Sequence, residues 1–308
     1  MALSDLTATR ARWRLGRALL FVACAPILVL LAVLSLIIVP MALTKGNLIQ
    51  FPPIWVSVHS FTDYLGDPDW VGSTLLSFKV SALAVTIGGF TGCAAAIAMH
   101  GRLFPGRNLV SGLILSPIVV PVIVLALGDY LLLAPLRLIG SWVAIAALHA
   151  MLVTPYVFIS VQTSLAVGLS AALVRAARSL GAGRFAVLRF VYWPAIRPGM
   201  LAGAVLGFAV SFDEVVLALF MQGATTVTLP VRMFTAIEYD LTPKIAASAS
   251  LFIALAVARP RRTGCGSARP ERGMSSDLAP PPRIGRRLDV GGVRKSRDLR
   301  RPRRQLRA

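Results

Sequence analysis

Residues 170–199 read SAALVRAARSLGAGRFAVLRFVYWPAIRPG and lie between two long apolar segments. The stretch holds five arginines, Arg175, Arg178, Arg184, Arg189 and Arg197, and no acidic residue. Ser170 is a good N-cap for AALVRAARSL, because its hydroxyl can accept from a free N–H of the first turn. Leu173, Ala176, Ala177 and Leu180 then fall on one helical face, with Arg175 and Arg178 elsewhere on the turn. Gly181 stands where a helix-terminating glycine is expected. A second short helix is predicted from about Gly183, with Phe185, Leu188 and Tyr192 on one side and with Pro194 and Pro198 ending it. Arginines alone would suit a solvated loop on the positive side of a membrane. A capped, hinged helix pair makes a poor lipid-facing element and a good docking surface, which predicts a membrane protein worked from the cytoplasm by another protein.

The rest of the chain agrees with a membrane body. The 308 residues are 56% hydrophobic, with a mean hydropathy of +0.74, too apolar for an ordinary soluble domain. The net charge of +19 divides unevenly: residues 259–308 carry +12 and residues 1–258 carry +7. A membrane span needs about 20 apolar residues. Candidate spans cover residues 18–44, 80–101 (starting near Ser73, with Lys79 snorkelling outward), 108–127, 138–166, 199–221 and 243–258. Basic residues concentrate in alternate loops: Arg10, Arg12, Arg14 and Arg17 at the N-terminus, Arg102 and Arg107 in the second loop, then the quoted arginine loop. Lys45 faces Asp63, Asp67 and Asp69 in the first loop, and Arg232 and Lys244 face Glu238 and Asp240 in the last. The positive-inside rule then predicts an all-α, polytopic inner-membrane protein with about six transmembrane helices and both termini cytoplasmic. Its parts are a cytoplasmic segment 1–17, a membrane domain 18–258 and an Arg-rich tail 259–308.

The tail has no apolar periodicity and is expected to be disordered. It lacks interleaved aromatics and any nucleic-acid-binding signature, so no nucleic-acid partner is expected. Residues 243–258 would give only about 24 Å of helix against a hydrocarbon core of about 30 Å. The apolar pattern then stops abruptly at Arg259-Pro260-Arg261-Arg262. A shift of reading frame near Val257 is therefore expected.

The stretch R-A-A-R-S-L-G-A followed by W-P-A-I-R-P-G resembles the cytoplasmic coupling loop of ABC importer permeases, the E-A-A-x-x-x-G motif with a later proline. The first outer loop, FPPIWVSVHSFTDYLGDPDW, and the stretch from SFDEVVLALF to IAASASL resemble polyamine-type permeases, most closely the second permease subunit of spermidine/putrescine importers. The resemblance covers roughly residues 15–257. It implies a type I ABC importer permease fold and a coupling loop formed by Arg175, Ala176, Ala177, Arg178, Gly181 and Pro194, with Arg175 standing where the motif has glutamate. It also implies cytoplasmic ABC ATPase subunits as partners, a second permease subunit, and a periplasmic or extracellular solute-binding protein. ATP hydrolysis would sit on the ATPase, and this chain would be no enzyme and need no cofactor. The alternatives are an ion- or proton-coupled secondary transporter, and a membrane-anchored nucleic-acid or lipid-binding protein that uses the tail.

Several further residues are candidates for function. Asp213 and Glu214 interrupt the fifth span, and ionisable groups at membrane depth tend to face a cavity or a partner. They are a candidate translocation path for a cationic solute, or a structural pair bonded to a neighbouring helix. On a continuous helix they would point about 100° apart, so at most one would face a pore. His149 in the fourth span is read as a packing residue rather than a ligand, and Asp129 as an outer-interface residue. Gly88, Gly89 and Gly92 suit close helix packing, and Trp55 and Trp70 suit interfacial anchoring. Cys24, Cys93 and Cys265 have no motif spacing. No phosphate-binding G-x-x-x-x-G-K-[ST] loop and no H-E-x-x-H occur in the chain, so neither a P-loop nucleotide site nor a catalytic zinc is expected.

Overall fold

The computed structural model describes residues 21–22, 24–33, 35–44, 57–101 and 105–257. The N-terminal segment 1–17, Trp55 and the tail 259–308, with the expectations attached to them, lie outside the described residues. The described elements are helices in the order α1 (Cys24–Ala42), α2 (His59–Gly66), α3 (Pro68–Met99), α4 (Arg107–Val119), α5 (Val122–Leu133) and α6 (Trp142–Gly168). They continue as α7 (Ala171–Ser179), α8 (Arg184–Val187), a π turn (Leu188–Tyr192), α9 (Trp193–Phe212), α10 (Val216–Met221), α11 (Leu229–Tyr239) and α12 (Pro243–Val257).

The centre is α6, packed between α3 and α9, which also meet each other. Helices embedded in lipid gain little by burying apolar side chains, so they associate where small residues let backbones approach. Two stripes of such residues clamp α6. On α9, Gly199, Gly203, Gly207 and Ser211 recur every fourth residue and are all buried. A Cβ on Gly203 would lie 2.7 Å from the Val157 Cα, and one on Gly207 would lie 2.5 Å from a Val153 methyl. On α3, a Cβ on Gly88 would meet the Ala150 carbonyl at 2.9 Å, and one on Gly92 would meet the Thr154 carbonyl at 2.8 Å. Gly88 and Gly92 thus pack as expected, whereas Gly89 points into open space. Between the stripes Val153, Val157, Phe158, Val161 and Leu165 of α6 are almost fully buried. The Thr91 and Thr154 hydroxyls lie 2.9 Å apart between α3 and α6, and each also reaches a carbonyl of its own helix, Ile87 and Ala150, so neither polar group is left to lipid.

Among the described residues four helical stretches are long and apolar enough to cross a membrane: α1, α3, α6 and the run Arg184–Phe212. The continuous third span expected over residues 108–127 is corrected. It is a bent pair, α4 and α5, turning by 103°. Proline is the physical reason. Val120 precedes Pro121, whose ring crowds a helical predecessor, and Val120 adopts φ −74°, ψ 132°. Pro121 then precedes the first residue of α5, where its missing N–H costs nothing.

The fifth span is corrected at both ends. Pro194 and Pro198 do not end the preceding helix, since α8, the π turn and α9 form one helical run from Arg184 to Phe212. The π turn shifts the hydrogen-bond register just before Pro194, which occupies the second position of α9 and has no N–H to give. At the other end the helix stops at Phe212, ahead of the two carboxylates.

The second span starts earlier than its apolar pattern. The Asp67 carboxylate accepts from the N–H groups of Asp69 at 2.9 Å and Trp70 at 3.4 Å, with Pro68 at the first helical position. Trp70 is not an interfacial anchor. It is buried edge-on against Tyr64, with ring centroids 6.0 Å apart, in a cluster shared by α1, α2, α3, α11 and α12. Helix α12 has 15 residues, about 22 Å of helix. It packs on α1 and α2. Phe252 meets Phe212 of α9 at 5.2 Å, and Lys244 Nζ donates to the Asp67 carboxylate at 2.7 Å. That ammonium, with two backbone N–H donors, holds the Asp67 carboxyl below its ordinary range despite some desolvation.

Candidate functional site

The arginine loop folds largely as its residues dictate. The Leu173 N–H donates to Ser170 Oγ at 3.3 Å, which closes the first turn of α7. At the other end Gly181 takes φ +85°. The Ala182 N–H donates to the Ala177 carbonyl at 3.1 Å and the Gly181 N–H to the Arg178 carbonyl at 3.0 Å. This nested pair is the Schellman stop, and it needs a residue free to enter the left-handed region.

Helix α7 is amphipathic in an unusual sense for a helix in a folded body. Its inner contacts are Val174, 8% exposed, and the half-buried Ala177. The predicted apolar face turns mostly outward: Leu173 is 54% exposed, Leu180 is 88% exposed and Ala176 is exposed. Phe185 and Phe190 continue this surface at 78% and 73%, while Tyr192 is buried, so the expected row of Phe185, Leu188 and Tyr192 does not form one buried side. The row read in the sequence held the inward Ala177 but missed Val174, one position on from Leu173, which is the buried residue of α7.

The structure groups Arg175, Ala176, Ala177, Arg178 and Gly181 on α7 and its stop. Pro194 lies on α9, yet Leu173, Phe190, Pro194 and Pro198 line one groove of about 760 Å³. The inner residues Val174 and Val187 join one hydrophobic cluster with Leu165 of α6, Leu169 and Ile196 of α9. A force on the outer face of α7 would therefore reach the two helices that form the centre.

Asp213 and Glu214 are not on a continuous helix, which corrects the expectation that they point about 100° apart. They fill the break between α9 and α10. Glu214 Oε1 accepts from the Val216 N–H at 2.8 Å and the Leu217 N–H at 3.1 Å, supplying acceptors that the start of α10 otherwise lacks. The Asp213 carboxylate is exposed and makes no hydrogen bond or ion pair among the described residues. The two carboxylates thus divide, one serving the fold and one open. Nearby, His149 is 1% exposed. Its Nδ1 lies 3.0 Å from Ser211 Oγ, which donates to Ser81 Oγ at 3.2 Å. This buried chain ties α6, α9 and α3, in keeping with a packing role. Asp129 lies in α5, half-buried.

Comparison with known proteins bears on this geometry. The family model described as "Binding-protein-dependent transport system inner membrane component" matches residues 88–258. The chain is 31% identical over 189 residues to the spermidine/putrescine transport system permease protein PotC of Haemophilus influenzae, covering 61% of this chain and 71% of that protein. It is 27% identical over 264 residues to the putrescine transport system permease protein PotI of Escherichia coli, covering 82% of this chain and 89% of that one. In fold it is similar to a chain of a bacterial ABC transporter involved in the import of the acidic polysaccharide alginate. The TM-score is 0.56 at 15% identity, over 79% of this chain and 94% of that chain.

Proposed function

The chain belongs to the family of binding-protein-dependent transport system inner membrane components, and from that premise we propose that it carries a polyamine-class cation across the membrane, driven by a separate ATPase that docks on α7. The observation that carries the docking is the outward apolar face of α7. Leu173 and Leu180 are exposed on a helix that is capped at both ends and anchored through Val174 and Ala177. An exposed apolar face on a helix held rigidly to the body favours a protein partner. This rests on residues 170–199 being cytoplasmic.

Arg175, Ala176, Ala177, Arg178 and Gly181 would make or shape the contact, with Pro194 lining the adjoining groove. When the ATPase subunits close, movement of α7 would pass through Val174, Val187 and Ile196 to α6 and α9. Helix α9 ends at Phe212, next to Asp213, so the same movement would shift the carboxylates of the candidate path. The solute class is supported by the names of the two polyamine relatives and by the open Asp213 carboxylate. A second permease subunit would complete the path, and an external solute-binding protein would deliver the solute. Family membership favours this reading over a secondary transporter.

The test is uptake of labelled putrescine and spermidine by cells that express the chain with its companion permease, ATPase and binding protein. Leu180→Glu places a charge on the docking face without touching the core. Uptake is expected to fall at least about tenfold, the equivalent of about 1.4 kcal/mol, with the chain at its normal level in the membrane. Undiminished uptake would overturn the docking. In the same assay Asp213→Asn is expected to reduce uptake with the complex still assembled. Glu214→Gln keeps an acceptor oxygen for α10 and separates charge from capping.

A further inference from the structure

We propose that this chain holds an anionic phospholipid of the inner leaflet in a groove between α3 and the run from α8 to α9. The groove has a volume of about 840 Å³. Its α3 wall is apolar and shallow, with Gly89, Phe90, Cys93 and Ile97, and its other wall includes Leu188 and Trp193. Phe90 is 77% exposed, so the groove opens outward rather than into the body. Residues Gly89 to Ala98 span about 13 Å of helix, close to one leaflet, half of a hydrocarbon core of about 30 Å.

The groove also carries charge. Arg178 and Arg184 line it, both exposed, and neither makes an ion pair among the described residues. No acid occurs in residues 170–200 or 80–101, the two stretches that supply the lining. A phosphate is the group that two unopposed guanidinium forks fit best, since each can give it paired hydrogen bonds. Apolar walls about one leaflet deep that also carry two arginines match an acyl chain and an anionic headgroup together. Basic pockets between helices on the cytoplasmic side favour such headgroups. A polyamine would be repelled here, so the groove is separate from the solute path. The choice of leaflet rests on the orientation proposed above. The chemistry of binding does not, and it is measured without transport.

The full chain is purified in a mild non-ionic detergent and titrated with phosphatidylglycerol or phosphatidylcholine of the same acyl chains. Retention is read by native mass spectrometry, with glycerol 1-phosphate as a headgroup without chains. Phosphatidylglycerol is expected to be retained at least about tenfold better than phosphatidylcholine, and to slow maleimide modification of Cys93, read by peptide mapping. The double variant R178Q/R184Q is expected to bring the two lipids level. Gly89→Leu is expected to lower phosphatidylglycerol retention by filling the groove, and it leaves helix packing intact because nothing lies within 4 Å of a Cβ there. Equal retention of both lipids by the unmodified chain would overturn the proposal, as would a preference that survives the double variant. Glycerol phosphate held as tightly as the lipid would make this a free-phosphate site instead. Equal lipid retention, with the arginines shielded only when the ATPase subunit is added, would give them to the protein partner.

Discussion

Gly203 and Gly89 show how differently one residue type is used within a single bundle. Gly203 faces α6 with the Val157 Cα 2.7 Å from where its Cβ would be, so even alanine must push a backbone aside. Gly89 has nothing within 4 Å. Overpacking of this kind costs about 1–3 kcal/mol. Gly203→Ala is therefore expected to lower the Tm of the detergent-solubilised chain and Gly89→Ala to leave it unchanged, as followed by fluorescence-detected size exclusion after heating. Equal Tm values would mean that the α6–α9 contact gives way easily. Gly181 is a third kind: its surroundings are empty, and only its φ of +85° demands glycine. The sequence pattern flagged Gly181, Gly88 and Gly92 correctly. It did not separate Gly89 from its neighbours, because which side of α3 meets α6 is a property of the packed pair.

Among the elements, α12 depends most on its neighbours. Its described residues make about 22 Å of helix, fixed by Phe252 against Phe212 and by Lys244 on Asp67. Asp67 also caps α3, so one carboxylate joins the starts of two helices. Its pKa lies below the ordinary 3.8 in the folded chain. A depressed carboxylate stabilises the fold fully above its unfolded pKa, and the contribution fades as pH falls through the folded value. Asp67→Asn is thus expected to lower Tm at pH 7, and the gap to the unmodified chain should close as the pH is taken below about 4. A gap that stays constant down to pH 3 would show that the side chain acts as a cap and not as a charge. The α4–α5 break belongs with these element effects. Its cause, Val120 before Pro121, was present in the sequence, but apolar run length hides a proline flanked by valines.

For the molecule as a whole, orientation decides whether α7 can meet an ATPase. Single cysteines are introduced at Asp63, Glu238, Arg107 and Arg184 in a chain lacking its native cysteines, and a membrane-impermeant maleimide is added to intact cells. Positions 63 and 238 are expected to label and positions 107 and 184 to stay silent. Labelling at 184 from outside would place α7 on the wrong face for a cytoplasmic partner and remove the docking proposal.

Composition and periodicity were enough to predict a helical membrane body, its apolar segments and the capped α7 with its glycine stop, because these follow from local chemistry: burial of runs, side-chain caps and left-handed backbone. Partner choice among helices was beyond them. That α6 lies at the centre, that Gly199, Gly203 and Gly207 face it, that Trp70 is buried, and that Leu173 of α7 and Pro194 of α9 share a groove are all contacts between residues distant in the chain. The roles of the two carboxylates diverged for the same reason. Asp213 and Glu214 are adjacent and chemically alike, and only the break between α9 and α10 turns one onto backbone N–H groups and leaves the other open.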